Sequence, residues 1–217
     1  MQTTQNTGLS GLLYLKEWFL KLGLIVFMTL MGSTGYAKGS AEVNAAENHI
    51  ITVSNNILRQ LDVNKSKLKN NPNALTALVR KEILPFIDFN AMAKLTLGKH
   101  WRSATPAQRT RFVNAYRNML VRSYAKQMLN YAGATMRPKF STANKKPGYV
   151  TVRTLVVPKN GAAVAATYEV RNKTGSWKVY NVEIGGINMV TNFRTNFSRE
   201  VSAKGLNALI LRLEKIR

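Results

Sequence analysis

Apolar residues recur at helical spacing in the part of the chain that follows residue 40. In Ala41–Leu61 they are Val43, Ala46, Ile50, Val53, Ile57, Leu58 and Leu61. This spacing predicts an amphipathic helix. The basic stretch Asn64–Asn71 then predicts a loop. Pro72 follows an asparagine cap and starts a second helix, which we expect to stop near Pro85. A short third helix is predicted between a cap at Asp88 and Gly98.

A sharp start signal stands at Thr105-Pro106-Ala107-Gln108, where a cap and a first-turn proline precede a glutamine that can bond back to the cap. We predict one long helix from there to about Tyr131, roughly 39 Å long, with Gly133 as its stop. One face gathers Phe112, Val113, Tyr116, Leu120, Tyr124 and Tyr131, and the other carries Arg111, Arg122 and Lys126. The helix is therefore expected to bury its aromatic face.

After Gly133 the hydrophobic pattern has a period of two, which predicts strands. The expected strands are Arg137–Phe140, Tyr149–Val157, Val164–Arg171 and Trp177–Ile184. Asn160-Gly161 and Thr174-Gly175 are typical of hairpin turns, so the sheet should be antiparallel. Helical spacing returns from Ile187 and, after an interruption at Gly205, in Asn207–Ile216. A helical part over about 41–133, a sheet over about 135–184 and helices over about 187–216 make an α+β fold.

The N-terminal segment has a different pattern. Lys16 and Lys21 precede the apolar run Leu22–Met31, and small residues follow up to Ala37. This order is typical of a secretory signal peptide over residues 1–37, cleaved near Ala37. A spanning helix needs about 20 apolar residues, and the run has 10. An uncleaved anchor and a buried core helix are the alternatives. The expected mature product, residues 38–217, is long enough for a single domain with a sizeable core.

Charge is the strongest compositional signal. The chain has 32 Lys and Arg against 10 Asp and Glu, a net charge of +22, and removal of residues 1–37 leaves about +21. Nucleic acid, anionic membrane surfaces, and diffuse charge without a specific partner are the three explanations. The basic residues are scattered along the chain, which favours diffuse charge. There is no cysteine, which excludes disulfides, thiolate metal ligands and a cysteine nucleophile.

Catalytic motifs are missing from the sequence. His49 and His100 lack accompanying ligands at metal-binding spacing, so no metal site is predicted. Asp88, Glu169 and Glu183 are candidates for acid–base chemistry without a pair motif. Neither a phosphate-binding glycine loop nor a serine elbow occurs. We therefore predict that the protein is not an enzyme and has no cofactor.

The helical aromatics could stack on nucleic-acid bases, but they lie on the apolar stripe rather than among the basic residues, which favours core packing. The apolar faces of the long helix, the sheet and the last helices can form a solid core or enclose a cavity. The pattern alone leaves both open, with the solid core as the default interpretation.

Seven segments together resemble one known family. They are Ile83–Asp88, Leu97–Trp101, Ala104–Arg109, Trp177–Val182, Gly186–Val190, Phe193–Phe197 and Lys204–Ile210. In this order they are similar to the MlaC (toluene-tolerance) family, over about residues 45–213. Two positions depart from the family pattern: Asn181 stands where Asp is common, and His100 stands at a variable position.

The resemblance implies a nuclear-transport-factor-like curved antiparallel sheet, with packed helices and a helical subdomain that enclose an apolar cavity for acyl chains. It implies a periplasmic phospholipid carrier that helps to maintain outer-membrane asymmetry. The partners implied are an outer-membrane lipoprotein complex and an inner-membrane ABC transporter with a lipid-binding ring subunit, with transient contact with membrane surfaces and no nucleic acid. A carrier of another lipid such as a hopanoid, a small cavity-based hydrolase or isomerase, and a basic nucleic-acid-binding module are the alternatives.

The resemblance makes Tyr124 and Ile187 the best candidates for contacts with lipid tails. The hydrophobic pattern adds six residues to this set. They are Tyr116, Leu120 and Met128 on the long helix and Val152, Val164 and Tyr168 on the sheet.

Overall fold

Helices precede and follow one antiparallel sheet in the computed structural model, which describes residues 34–216. The helices are α1 (Thr34–Val63), α2 (Lys65–Asn70), α3 (Pro72–Glu82), α4 (Phe89–Leu97), α5 (His100–Ser103), α6 (Pro106–Met128), α7 (Met189–Lys204) and α8 (Leu206–Lys215), with 3₁₀ turns at Leu84–Phe86 and Leu129–Tyr131. The strands are β1 (Thr135–Pro138), β2 (Thr142–Ala143), β3 (Tyr149–Val157), β4 (Val164–Lys173), β5 (Ser176–Ile184) and β6 (Ile187–Asn188). The predicted α+β class is confirmed. Residues 1–33 of the predicted signal peptide lie outside the described residues.

Helix starts were predictable because their signals are local. The Thr105 hydroxyl accepts from the Gln108 amide at 3.2 Å, and the Gln108 side chain accepts from the Thr105 amide at 2.9 Å. This reciprocal capping box fixes the start of α6. Asn71 and Asp88 each accept from the amide three residues on, both at 3.0 Å, at the starts of α3 and α4. All three predicted caps are confirmed.

The loop predicted over Asn64–Asn71 is wrong, because Lys65–Asn70 forms helix α2. The segment carries one apolar side chain, Leu68, which is buried in a cluster with Leu75 of α3. Burial of this leucine against neighbouring helices outweighs the loop preference of the surrounding asparagines and lysines.

The first strand also differs from its predicted bounds, since β1 covers Thr135–Pro138 rather than Arg137–Phe140. Met136 is buried and fixes the register against β3, in which Thr135 lies opposite Val157. Phe140, expected in the strand, is 66% exposed. The single buried methionine therefore sets the pairing, and the exposed phenylalanine does not.

The sheet has the strand order β1-β3-β4-β5-β6, with β2 also paired to β3, and all pairs are antiparallel. The hairpin between β4 and β5 turns at Thr174 and Gly175, which have positive φ angles of 51° and 80°. The β4–β5 register shifts between Glu169, which lies opposite Asn181, and Val170, which lies opposite Val179. Tyr180 of β5 is therefore the extra residue of a bulge, and the side-chain alternation of β5 is reversed there.

Three buried clusters form the core of the described residues. The first joins α4, α6, α7 and α8 around Phe112, Tyr116 and Phe197. The last helix supplies Leu209, Ile210 and Leu213 to this cluster. The second packs α1 against one face of the sheet, and the third joins the end of α1 to α2, α3 and the second half of α6. Helix α1 belongs to the second and third clusters and therefore connects the sheet to the helical part, whereas α6 connects the first and third clusters.

Candidate functional site

Tyr116 belongs to closed packing. Its side chain has no accessible surface, and its ring stacks on Phe112 with centroids 5.6 Å apart. The Thr96 hydroxyl donates to its hydroxyl at 3.4 Å. Burial raises the pKa of Tyr116 well above its usual range. In this conformation Tyr116 supports the wall of the first cluster and presents no surface to a ligand.

The other predicted residues of α6 keep accessible surface. Leu120, Tyr124 and Met128 are half-buried and follow one another at four-residue intervals, so they form one stripe along the helix. Leu120 packs against the first cluster and Met128 against the third. The stripe therefore runs between two buried clusters without being fully covered by either.

The three predicted sheet residues share one face. Val152 lies opposite Tyr168, and Val164 lies opposite Val156 four residues further along β3. Val152 is fully buried in the second cluster, whereas Val164 and Tyr168 keep accessible surface. The structure thus brings these three residues together on the face that packs against α1.

Tyr168 is half-buried, so part of its side chain remains accessible to solvent. Burial raises the pKa of Tyr168 to about 12. Its hydroxyl has no hydrogen bond to any of the described residues. An isolated phenol in apolar surroundings favours the neutral form, which accounts for the direction of the shift.

Ile187 lies at the surface. It is 58% exposed in β6 and faces Ile184, which is 43% exposed, across the Gly185-Gly186 turn. A Cβ added to Gly185 would lie 3.8 Å from a methyl group of Val164. The turn that carries Ile187 therefore lies beside the start of β4, and Val164 is the predicted residue nearest to it along the sheet.

Sequence reasoning did not place in the site four half-buried apolar residues that, like Tyr168, pack against the second cluster. They are Val43, Ile51, Tyr131 and Val179. Val179 lies two residues after buried Trp177 on β5, and this period of two was a usable signal that both face the same side of the sheet. Ile51 follows buried Ile50 on α1 and lies off the main apolar stripe, so its contact with the second cluster was not visible in the helical period.

A buried ion pair fixes the helical part to the sheet. The Asp88 carboxylate accepts from the Arg171 guanidinium, with Nε at 2.9 Å, and also caps α4. Burial alone would raise the pKa of Asp88, but the Ala91 amide and Arg171 outweigh it and lower that pKa. The Asp88 amide donates to the Val179 carbonyl at 2.8 Å. Asn181 is buried and accepts from the amides of Val182 and Val190. Its role in the described fold is structural.

Two negative findings concern the described residues only. Within residues 34–216 no helix is long and apolar enough to cross a membrane. In the same range no three acidic, histidine or cysteine side chains group as metal ligands. His100 contacts the Ser198 hydroxyl at 3.1 Å, which joins α5 to α7.

The fold and the half-buried apolar stripes define the class of an α+β protein whose helices pack on one antiparallel sheet. The family model for MlaC protein matches residues 52–215. The chain belongs to the MlaC family.

Relatives agree with this assignment. The intermembrane phospholipid transport system binding protein MlaC of Haemophilus influenzae is 24% identical over 208 residues, which are 94% of this chain and 95% of the relative. The toluene tolerance protein ttg2D of Pseudomonas putida is 32% identical over 152 residues, 69% of each chain. A phospholipid-binding protein from Ralstonia solanacearum, solved in complex with a phospholipid, is similar in structure, with a TM-score of 0.71 and 27% sequence identity. The alignment covers 78% of this chain and 95% of the chain of that protein.

Proposed function

We propose that this protein is a non-enzymatic carrier that binds a phospholipid and moves it through the periplasm between the outer and inner membranes. The observation that carries the proposal is the likeness in fold and sequence to a protein solved with a phospholipid. The curated relatives, a binding protein of an intermembrane phospholipid transport system and a toluene tolerance protein, point to the same class.

The physical need for such a carrier follows from the hydrophobic effect. Each methylene exposed to water costs about 0.8 kcal/mol, so a tail of about 14 methylenes costs roughly 11 kcal/mol. A phospholipid therefore rarely leaves a bilayer alone. A protein slot that covers the tails removes most of this cost, while the headgroup can stay in water.

We place the tails between helix α6 and the sheet face of the second cluster. Leu120, Tyr124 and Met128 supply apolar surface that no cluster fully covers. Tyr168 supports this location, because its surroundings are apolar enough to raise its pKa to about 12 and yet the side chain keeps accessible surface. Tyr116 and Val152, which are fully buried, would form the walls behind this slot.

Ile187 has a different place in this proposal. Its exposed position beside Val164 suits the mouth of the slot, where the first methylenes of a tail or the glycerol group would pass. A lipid held this way keeps its headgroup outside, so selection among headgroups should be weak. Release then requires a partner, and we infer that an outer-membrane lipoprotein complex and an inner-membrane ABC transporter with a lipid-binding ring subunit serve as donor and acceptor.

Native mass spectrometry of protein purified from the periplasm without detergent tests the proposal. We expect one phospholipid-sized adduct on a chain that begins near Lys38, and extraction identifies the lipid. Tyr124→Glu should yield folded protein without the adduct, because a charge placed among apolar tails is unfavourable. The control Gln127→Glu adds the same charge to an exposed position of the same helix and should keep the adduct.

Two results would reject parts of the proposal. A wild-type protein that carries no lipid and takes none up from vesicles rules out the carrier function. Equal lipid recovery from Tyr124→Glu and Gln127→Glu rules out the location of the slot but leaves the function intact. If the extracted lipid is a hopanoid or another polycyclic lipid, the carrier function stands and its cargo is corrected.

A further inference from the structure

A second concave site lies away from the proposed tail slot. An open cleft of about 570 Å³ lies between the segment that joins α3 to α4, the first half of α6 and the β4–β5 hairpin. Cavities that hold small ligands are usually about 300–1,000 Å³, so its size suits a small organic molecule or a headgroup. None of the eight residues predicted to contact lipid tails lines this cleft.

The charges that line the cleft are mostly positive. Arg117 approaches from α6, and Lys173 and Lys178 approach from the hairpin. The one lining carboxylate, Asp88, is already neutralised by Arg171 and bonded to the first turn of α4. Three cations therefore face the cleft without a lining carboxylate left to balance them, and the local field favours an anion.

Arg117 differs from the other charged residues of the cleft in the hydrogen bonding of its guanidinium. Its terminal nitrogen Nη2 donates to the Asn114 side-chain oxygen at 3.1 Å, which fixes the plane of the guanidinium. Its Nε is buried and has no hydrogen-bond partner among the described residues. A buried donor without an acceptor costs about 1–3 kcal/mol, and more when it is charged. The other terminal nitrogen, Nη1, makes no hydrogen bond with a described residue and is not among the buried unpaired atoms, so it can donate to a ligand oxygen in the cleft.

The lysines are placed by rigid elements. The Lys178 ammonium donates to the carbonyl of Pro85, which holds it against the cleft wall. Lys178 pairs with Arg171 across β4 and β5, and Lys173 lies two residues beyond Arg171 on the same strand. Since backbone pairing fixes the positions of both lysines, the cationic arrangement is part of the fold.

This arrangement has the chemistry of a phosphate site. A guanidinium offers two parallel N–H donors that match two oxygens of a phosphate, and ammonium groups complete the charge balance as point charges. Val113, Leu84 and Phe89 add apolar surface to the same cleft, which suits a carbon chain attached to the phosphate. We propose that this cleft binds the phosphate group of an organic phosphate ester, with Arg117 as its principal ligand and Lys173 and Lys178 in support.

Isothermal titration of the purified protein with glycerol 3-phosphate tests the site for a soluble ester. Flotation with vesicles of phosphatidylcholine that contain 20% phosphatidylglycerol tests it for a headgroup in a membrane. The variants are Arg117→Gln and Arg117→Lys. The control is Arg199→Gln, which removes the same charge from an exposed position of α7 where the side chain has no hydrogen bond or ion pair with a described residue.

We expect Arg117→Gln to weaken binding at least tenfold in one of the two assays, Arg117→Lys to weaken it severalfold, and Arg199→Gln to change it by less than twofold. Saturable binding of glycerol 3-phosphate identifies a soluble ester. Arg117-dependent flotation without such binding identifies a membrane headgroup. Equal losses in Arg117→Gln and Arg199→Gln, or no binding in either assay, overturn the proposal, since diffuse charge would then account for any attraction. Circular dichroism confirms that each variant folds, and lipid recovery from the same samples reports on the tail slot independently.

Discussion

Substitution of Asp88 should separate the two tasks of its carboxylate. Asp88→Asn keeps an oxygen that can cap α4 and removes the charge that pairs with Arg171. Asp88→Ala removes both. The Asp88 side chain is 4% exposed and that of Arg171 is 26% exposed, so loss of the charge leaves a largely desolvated guanidinium without its partner. Breaking a buried pair costs about 3–5 kcal/mol, and the partial exposure of Arg171 favours the lower end of this range.

We therefore expect Asp88→Asn to lower the free energy of unfolding by about 3 kcal/mol and Asp88→Ala by about 4 kcal/mol, since a lost cap costs about 1 kcal/mol more. For a chain of this size, 1 kcal/mol corresponds to about 2–4 °C in Tm, so Asp88→Asn should melt about 6–12 °C lower. Urea unfolding at pH 7 measures the free energies. Glu82→Gln is the control, because the Lys81–Glu82 pair is exposed and should contribute less than about 0.5 kcal/mol.

The pH dependence gives the sharper test. The pKa of Asp88 is lowered in the folded protein, so its contribution is complete above the unfolded value of about 3.9 and is lost as the pH falls through the folded value. The stability gap between the wild type and Asp88→Asn should accordingly close in strongly acidic solution. A gap that is the same at all pH values, or no gap at pH 7, would refute the assignment of the stability to the ion pair.

Two further predictions concern single positions. Tyr168→Phe should remove one phenol that titrates near pH 12 from the ultraviolet spectrum. It should change the free energy of unfolding by less than about 0.5 kcal/mol, because the hydroxyl has no partner among the described residues. An unaltered alkaline titration would contradict the buried position of Tyr168. Gly133→Ala should destabilise more than Gly148→Ala in urea unfolding. Both glycines have a φ of 76°, which costs an L-residue about 1 kcal/mol, but a Cβ at Gly133 would also lie 2.3 Å from the side chain of Lys159, whereas at Gly148 the nearest atom is 3.9 Å away. Equal losses would show that the Lys159 side chain moves aside without cost.

Much of the fold was predictable because its signals are local. The capping box at Thr105 and the hairpin at Thr174-Gly175 lie within four residues of the structures that they specify. The period of two also predicted the strands that carry Val152 and Tyr168, and the register between β3 and β4 brings these two residues opposite one another. Helix α2 was not predictable in this way, because the burial of Leu68 depends on helices that the segment itself does not encode.

The candidate site was less accessible to sequence reasoning. Tyr116 and Tyr124 lie on the same stripe of α6, yet only Tyr116 is fully covered. The cover comes from Phe193 and Phe197 of α7, more than 70 positions further along the chain. The cationic cleft was not visible at all, because Arg117, Lys173 and Asp88 come from three segments that meet only in the folded chain.

The place of α8 has a consequence for how the chain reaches its folded state. Helix α8, Leu206–Lys215, supplies buried residues to the first cluster. Arg111 near the start of α6 pairs with Glu214 near the end of α8. A chain released N-terminus first must therefore hold Phe112 and Tyr116 without their final cover until Leu206–Lys215 is free. Until then it exposes an aromatic surface of the kind that chaperones bind and that drives aggregation. Deletion of Leu206–Lys215 should thus reduce the yield of folded protein more than the short length of this helix suggests.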